Sequence, residues 1–223
     1  TQPTKEIFPN FEENAPLERK IVSHRYVIKT EDESVSVDYR GKENHSVGYS
    51  VIRAKFDRWM AQEAQKEGVV LVTETLVTDL IKRENKIVGV KTELEEYFAD
   101  IVILADGVNS LLAKKAGLRK EIKPKDAALG VKEVIKIIKE KIEERFNLND
   151  GEGCVFELIG DPMMGMLGLG YLYTNKDSIS IGIGVGLDEL AKHKLKPYEL
   201  LDKVKSHPSF KPFIKDGELI EYC

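Results

Sequence analysis

The segment that most limits the fold is the apolar run from Asp100 to Ala105, which Asp106 and Gly107 follow directly. A nearly continuous apolar run of this length is typical of a β-strand that is covered on both faces, as in a parallel sheet. Ligands of open α/β sheets bind beyond the carboxyl ends of such strands, and helix N-termini attract phosphate. The Asp106-Gly107 turn is therefore a candidate ligand site, although an Asp-Gly pair after a strand is also an ordinary turn.

A strand–helix–strand pattern lies upstream of this run. Residues 47–52 have the pattern of a strand, and a helix is predicted from Arg53 to about Glu67, with apolar residues at four-residue spacing on one face. Gly68 ends the helix, and residues 69–72 are predicted as a short buried strand. This order normally gives a right-handed parallel crossover.

The remaining elements follow from alternation and turn residues. Residues 1–20 contain three prolines and are predicted as a loop. Three groups of strands and four more helices are predicted: strands 21–29 and 34–39; strands 75–83, 87–92 and 97–98; strands 127–138, 155–159, 166–173 and 178–185; a short helix that Asn109 or Ser110 can cap and that ends at Gly117; helices 139–146, 188–193 and 197–205. We expect an α/β (α+β) protein with a partial parallel layer at 47–117 and a mainly antiparallel sheet at 17–40 and 118–223.

Composition and net charge exclude several classes of function. Hydrophobic residues make up 42% and charged residues 32% of the 223 residues, and the net charge is −4, which argues against a nucleic-acid surface. Cys154 and Cys223 are far apart and the four histidines show no metal-binding spacing, so we predict no disulfide framework and no metal site. No apolar run approaches the ~20 residues of a spanning helix. We expect a cytoplasmic protein and leave peripheral membrane contact open.

Short motifs occur in one order along nearly the whole chain. They are Arg53 to Trp59, Gly68, Thr75 to Leu80, Val88 to Val90, Ala105 to Gly107, Gly130 to Val134, Ile142 to Phe146, Leu172 to Ser178 and Val185 to Leu190. This series resembles the flavoprotein family that includes FixC, the electron-transfer flavoprotein–quinone oxidoreductases and the geranylgeranyl reductases. Each motif is weak alone, and the ordered series carries the resemblance.

The resemblance implies an FAD cofactor and roles for five residues. Ala105, Asp106 and Gly107 would approach the pyrophosphate and ribityl region of FAD. Arg53 would approach the ribityl–phosphate side, where a guanidinium makes paired hydrogen bonds, and the backbone around Val77 would face the adenine. Alternatively, Arg53 is a surface residue at a helix start and Val77 a core residue. No catalytic side chain is assigned. Residues 47–117 would be part of an FAD-binding domain, and residues 17–40 with 118–223 would be a substrate domain.

The resemblance also implies a reaction. An FAD-dependent oxidoreductase of the FixC type would pass electrons from an electron-transfer flavoprotein to a quinone or a ferredoxin-like acceptor. Two alternatives stay open, namely a flavin-dependent geranylgeranyl reductase and a binding module without catalysis.

Two motifs of the family, the first-strand GxGxxG and a later Gly-Asp segment, are not found in this sequence. Because both termini resemble cuts, we expect an internal fragment that is inactive alone and holds FAD weakly or not at all. A parallel layer without its first strand would expose an edge, so we also predict a homodimer or another protective contact.

Two further patterns have both a structural and a functional interpretation. Gly182, Gly184 and Gly186 alternate along one strand and leave one sheet face open, either for a neighbouring backbone or for a flat ligand. An apolar stripe of Met163, Met164, Met166, Tyr171 and Tyr173 is either core or the lining of an apolar pocket.

Overall fold

The structure of the chain is a computed structural model that describes residues 2–41, 48–160 and 163–223. It contains two compact units. The first consists of Thr1–Glu63 with Pro124–Cys223, and the second of Ala64–Lys123.

The helices and strands follow in chain order. They are α1 (Gln2–Ile7), α2 (Phe11–Asn14), β1 (Leu17–Lys29), β2 (Ser34–Arg40), β3 (Gly48–Val51), α3 (Arg53–Lys66), β4 (Val77–Arg83), β5 (Lys86–Thr92), β6 (Glu96–Phe98), α4 (Leu111–Lys115), β7 (Ala128–Lys136), α5 (Lys139–Phe146), β8 (Glu152–Gly160), β9 (Gly168–Thr174), β10 (Ser178–Gly186), α6 (Leu187–His193), α7 (Pro197–Ser206), α8 (Lys211–Ile214) and β11 (Glu218–Tyr222). A short 3₁₀ turn at Pro124–Asp126 precedes β7.

The first unit is built on an eight-stranded sheet. Seven strands follow the order β11-β7-β10-β9-β8-β1-β2, and β3 pairs with β1 beside them. The β1–β8 pair is parallel, with His24 opposite Val155, and the other pairs are antiparallel. The sheet is therefore mainly antiparallel, as the alternating sequence predicts.

The core of this unit lies between the sheet and its helices. In β10 the apolar residues Ile179, Ile181, Ile183 and Val185 alternate with serine and glycine, so all four point to one face, and none is more than 1% exposed. Helix α7 contributes Leu200, Leu201 and Val204, which are fully buried in the same cluster. The apolar side chains on one face of β10 and those on one face of α7 thus pack together in one core.

A buried arginine fastens the start of β1. Arg19 is 2% exposed, and its Nε donates to the carbonyl of Asn175 over 2.5 Å. Its two terminal nitrogens donate to the carbonyls of Glu152 and Lys176 and to Oε1 of Glu143, over 2.9 to 3.2 Å. A buried guanidinium is tolerated only when its donors are used in this way.

The second unit contains the antiparallel sheet β4-β5-β6 and the helix α4. Gly89 on β5 lies directly against β6, and a Cβ at this position would collide with the carbonyl of Tyr97. Lys115 at the end of α4 donates to the carbonyl of Thr78 over 2.9 Å and lies 3.5 Å from Asp79 Oδ2. Helix α4 is therefore bound to the start of strand β4.

Most sequence predictions are confirmed within the described residues, but those for the segments 1–20, 69–72 and 100–105 are wrong. The predicted loop at 1–20 contains α1, α2 and the start of β1. These short helices lie against α3, because Phe8, which follows α1, and Phe11, which begins α2 and is 5% exposed, both pack against the ring of Trp59. Val47, placed at the start of a predicted strand, lies outside the described residues.

The predicted strands at 69–72 and 100–105 are not strands in the structure. No strand of the described residues pairs with either segment, and most of their apolar side chains are exposed, up to 84% at Val70 and 85% at Ile103. An apolar run shows which residues favour burial, but a strand also needs a hydrogen-bonding neighbour. The predicted α/β class is confirmed, whereas the division into an FAD-binding and a substrate domain stays a prediction.

Candidate functional site

The turn at Asp106 is pinned by its own carboxylate. Oδ1 accepts a hydrogen bond from the Ser110 hydroxyl over 2.8 Å, and Oδ2 faces the backbone N–H of Leu112 in α4 over 3.4 Å. These bonds, that of Ser110 first, hold the pKa of Asp106 below its ordinary value. Asp106 is therefore an anion that already faces the first turn of α4.

Gly107 follows in the left-handed region of backbone space, with φ of 79°. No atom lies within 4 Å of the position that a Cβ would occupy, and the neighbours Ala105 and Asp106 are exposed. The backbone of this turn is consequently open to a ligand. A ligand that used the N–H groups of α4 would compete with the Asp106 carboxylate, whereas one that approached Gly107 would not.

Val77 is the first residue of β4 and lies opposite Thr92 of β5. It is half-buried, and the register shifts between Val77 and Asp79, so the strand begins irregularly. The bond from Lys115 to the Thr78 carbonyl connects this strand start to α4, which follows the Asp106 turn. Within the second unit, Lys115 thus connects the start of β4, which contains Val77, to the helix that follows the Asp106 turn.

Arg53 begins α3, in the first unit. Its Nε and Nη2 donate to the two carboxylate oxygens of Asp57, one helical turn further on, over 2.8 and 3.0 Å. The side chain of Arg53 is 75% exposed and that of Asp57 52%. The guanidinium is thus oriented by an exposed ion pair, which is a weak restraint that a phosphate can replace.

The five predicted residues are divided between the two units. Arg53 lies in the first, and Val77, Ala105, Asp106 and Gly107 lie in the second. Three partners were not predicted as site residues: Asp57, Ser110 in its bond to Asp106, and Lys115. The four-residue spacing from Arg53 to Asp57 within α3 is a sequence signal for a side-chain pair, but the contacts of Ser110 with Asp106 and of Lys115 with β4 have no such signal.

The described residues contain neither a metal-binding cluster nor a membrane-spanning helix. Over residues 2–41, 48–160 and 163–223, no three His, Cys, Asp or Glu side chains are grouped so that they could hold a metal ion. Within the same ranges, no helix is both long enough and apolar enough to cross a membrane.

Family models match both halves of the chain. A model described as FAD dependent oxidoreductase matches residues 29–157, which contain all five predicted site residues. The chain belongs to the FAD-dependent oxidoreductase family. A second model, described as ETF-QO, ubiquinone-binding, matches residues 127–223, from the turn before β7 to the end of the chain.

Curated relatives agree with this assignment. The chain is 40% identical to protein FixC of Escherichia coli K12 over 219 residues, which is 97% of this chain and 51% of that protein. It is 41% identical to protein FixC of Azorhizobium caulinodans over 225 residues, covering 98% of this chain and 52% of that protein. The chain thus spans about half the length of the curated relatives that it matches.

Solved structures show the same fold. A geranylgeranyl bacteriochlorophyll reductase-like protein of Thermoplasma acidophilum superposes with a TM-score of 0.71 and 20% identity, over 92% of this chain and 49% of that one. A flavin-dependent brominase superposes with a TM-score of 0.72 and 15% identity, over 99% of this chain and 54% of that one. The fold is therefore that of FAD-dependent oxidoreductases.

The described residues fit an FAD group in part. In the second unit the backbone at Gly107 is open, and in the first unit Arg53 presents an exposed guanidinium, a group that binds phosphate oxygens. The N-terminus of α4 does not fit a phosphate in addition, because the carboxylate of Asp106 already faces it.

Proposed function

We propose that this chain carries part of the FAD site and most of the substrate-facing sheet of a flavin-dependent oxidoreductase of the FixC type. Electrons would enter from an electron-transfer flavoprotein and leave to a quinone. The observation that carries the proposal is the pair of overlapping family models, one for FAD-dependent oxidoreductases at 29–157 and one for ubiquinone binding at 127–223. Identity of about two-fifths with FixC proteins supports the same reaction type.

FAD, when bound, supplies the redox chemistry by taking up and releasing two electrons, and the protein binds and orients it. Arg53 binds the phosphate or ribityl oxygens through its guanidinium, which Asp57 holds at the start of α3 in the unbound state. Gly107 lets the backbone come close to the dinucleotide, and Asp106 keeps this turn in shape through Ser110. The backbone around Val77 faces the adenine. These groups bind and orient the cofactor, and no proton transfer is assigned to them.

The acceptor is proposed to be a quinone rather than a ferredoxin-like protein or an isoprenoid double bond. The support is the ubiquinone-binding description of the model that covers β7 to β11. Likeness to the reductase-like structure from Thermoplasma acidophilum concerns the fold and does not favour isoprenoid reduction.

Flavin binding is the first test. The full-length gene product is mixed with FAD, desalted and scanned for flavin absorbance, and the flavin is then reduced through an electron-transfer flavoprotein and exposed to a quinone. We expect retained flavin that the quinone reoxidises. Absence of flavin from the full-length protein would overturn the proposal, and reoxidation by a ferredoxin-like protein alone would overturn the choice of acceptor.

A pair of arginine variants tests the assigned residue. Arg53→Met removes a charge-assisted bond of about 1.5–3 kcal/mol, so FAD affinity should fall by about tenfold or more. Arg58→Met is the matched control, because Arg58 is an exposed arginine of the same helix. Equal FAD affinity in both variants, measured by equilibrium dialysis, would remove Arg53 from the site.

A further inference from the structure

Helix α7 packs against β7 and β10 on one face of the eight-stranded sheet, which is called the packed face below. Leu172 and Ile181 point to the packed face and are fully buried. Because side chains alternate along a strand, Tyr171 and Tyr173 on β9 point to the opposite face, where both are half-buried. This opposite side is called the open face below.

Three residues of the open face lie in one row across neighbouring strands. Gly182 on β10 is opposite Tyr171 of β9 on one side and opposite Lys132 of β7 on the other. A Cβ at Gly182 would lie 2.5 Å from the Tyr171 hydroxyl oxygen and 2.6 Å from the ring carbon that bears it. The phenol of Tyr171 therefore lies across the glycine, with its hydroxyl over β10 and directed towards the strand of Lys132.

The polar groups of this row have unused hydrogen-bonding capacity. In the part of the chain that the structure describes, neither the Tyr171 nor the Tyr173 hydroxyl has a hydrogen-bond partner. The ammonium group of Lys132 lies 3.1 Å from Oε1 of Glu221, and its side chain is 21% exposed. An ammonium group has three donors, so one ion pair leaves others free. A phenol donor on β9 and an ammonium donor on β7 thus belong to one row of the open face, on either side of Gly182.

We propose that Tyr171 and Lys132 are a pair of donors that bind one carbonyl oxygen of the quinone acceptor. This inference rests on the proposed function and adds to it the residues that hold the acceptor. Both groups donate to oxygen, and the oxygen of a quinone gains negative charge as the ring is reduced. Fixed donors directed at such an oxygen stabilise the reduced form more than the oxidised form.

The surroundings of the pair suit a flat ring. Tyr171 and Tyr173 are stacked, with ring centroids 5.8 Å apart and planes 16° from parallel. Gly184, two residues further along β10, is opposite Gly130 on β7, and no atom lies within 4 Å of the position of its missing Cβ. A quinone ring placed over Gly184 would contact the backbone of β10, as the Tyr171 phenol does at Gly182. The stacked rings of Tyr171 and Tyr173 would lie beside it.

The protonation states of both groups favour donation. Burial, followed by the charge of Tyr173, raises the pKa of Tyr171 even though Lys132 works in the other direction. Burial disfavours the charged form of Lys132, but the bond to Glu221 and the nearby Tyr173 outweigh burial and raise the pKa of Lys132. Tyr171 therefore keeps its proton, and Lys132 its charge, throughout the neutral pH range.

Binding of a quinone in the absence of any electron donor tests the pair directly. The probe is tetramethyl-benzoquinone, whose ring has no unsubstituted carbon to which the exposed thiol of Cys223 could add. Its dissociation constant is measured by calorimetry on the full-length, FAD-loaded protein. Loss of a neutral hydrogen bond in Tyr171→Phe should raise the dissociation constant about fivefold, and loss of a charged donor in Lys132→Met about tenfold or more.

Two variants serve as matched controls. Lys136→Met removes an exposed lysine of the same strand, and Tyr39→Phe removes a hydroxyl from β2 at the edge of the sheet. Both should leave the dissociation constant unchanged, and Lys132→Arg should restore most of the affinity. The donor pair is refuted if Tyr171→Phe and Lys132→Met bind the probe as the wild type does, or if the controls lose as much affinity.

Failure of the donor pair and failure of the proposed function give different results. If donor-reduced wild-type protein is reoxidised by ferricyanide but not by the quinone, the proposed acceptor is wrong and the pair has no ligand. If the wild type is reoxidised by quinone and both variants are reoxidised at the same rate, the function stands and only the pair is refuted.

Discussion

The hydroxyl of Ser110 donates to Oδ1 of Asp106 over 2.8 Å while Ser110 itself is in a left-handed backbone conformation, with φ of 40°. Such a conformation is uncommon for a residue with a Cβ. The bond closes the turn after residues 100–105 and leaves Gly107 open to a ligand. The conformation of the turn that is proposed to contact FAD therefore depends on Ser110, which lies outside the Ala105–Gly107 motif.

Two substitutions at Ser110 distinguish the stability that comes from the hydrogen bond from the cost of the left-handed backbone conformation. Ser110→Ala loses the bond and keeps a Cβ in the left-handed region, whereas Ser110→Gly loses the bond and relieves the backbone. Because the left-handed conformation costs a residue with a Cβ about 1–2 kcal/mol, Ser110→Ala should be the less stable variant by about this amount. Urea unfolding measures the difference, and a more stable alanine variant would contradict the structure.

Two glycines of β10 should respond oppositely to alanine. A Cβ at Gly182 would lie 2.5 Å from the Tyr171 hydroxyl and 2.7 Å from the Val131 carbonyl, whereas one at Gly184 would meet nothing within 4 Å. Gly182→Ala should destabilise the protein by about 1–3 kcal/mol through overpacking, and Gly184→Ala should be close to neutral. Thermal unfolding of both variants measures this, and equal losses would contradict the packing described.

Removal of Arg19 should cost more than removal of any exposed arginine. Arg19→Met leaves the Glu143 carboxylate and the carbonyls of Glu152, Asn175 and Lys176 without their common donor. Breaking a buried pair in this way costs about 3–5 kcal/mol, whereas exposed Arg58→Met should change stability by less than about 0.5 kcal/mol. The midpoints of urea unfolding measure both losses of stability, provided that the two variants unfold with the same dependence on urea. Similar midpoints would show that the hydrogen bonds of Arg19 do not stabilise the fold.

The thiol of Cys154 should make the protein sensitive to alkali. Burial, with a smaller contribution from Asp38, raises the pKa of Cys154 from an ordinary 9.0 to about 12. Since the folded state disfavours the thiolate, the contribution of this group to stability is complete below pH 9 and is lost as the pH rises towards 12.

Unfolding at several alkaline pH values measures this loss. The pKa of Tyr49 is also raised to about 12, by burial and by its bond to Glu12, so Cys154→Ala is needed to isolate the thiol. The variant should show a shallower decline of stability with pH. A thiol reagent at neutral pH should modify exposed Cys223 in the native protein and both cysteines only after unfolding; rapid modification of native Cys154 would contradict its burial.

Local patterns predicted most elements correctly. Helix α5 begins at Lys139 and ends at Phe146, as the sequence predicts, and the hairpins β1–β2 and β4–β5 pair where alternation and turn residues place them. The patterns succeed here because each helix or hairpin is stabilised by residues that are near each other in sequence. The series of motifs also indicated the family, because each motif consists of residues that are consecutive in the sequence.

The candidate site was predicted less completely. Asp106 and Gly107 were expected at a turn and are found there, but the bond that pins the turn and the link from Lys115 to β4 became visible only in the structure. Whether Arg53, Val77 and the Ala105–Gly107 turn contact FAD stays a prediction. Periodicity gives the faces of an element and does not give the partner that each face meets.

The sequence by itself determined the α/β class, the elements with a clear period and the family, because these depend on short-range patterns. Only the tertiary structure decided that β1 pairs in parallel with β8, more than a hundred residues away, and that residues 69–72 and 100–105 are not strands. It also decided that the Tyr171 ring lies across Gly182. Long-range pairing depends on which backbone is available as a neighbour, and a local pattern of apolar and polar residues carries no information about that neighbour.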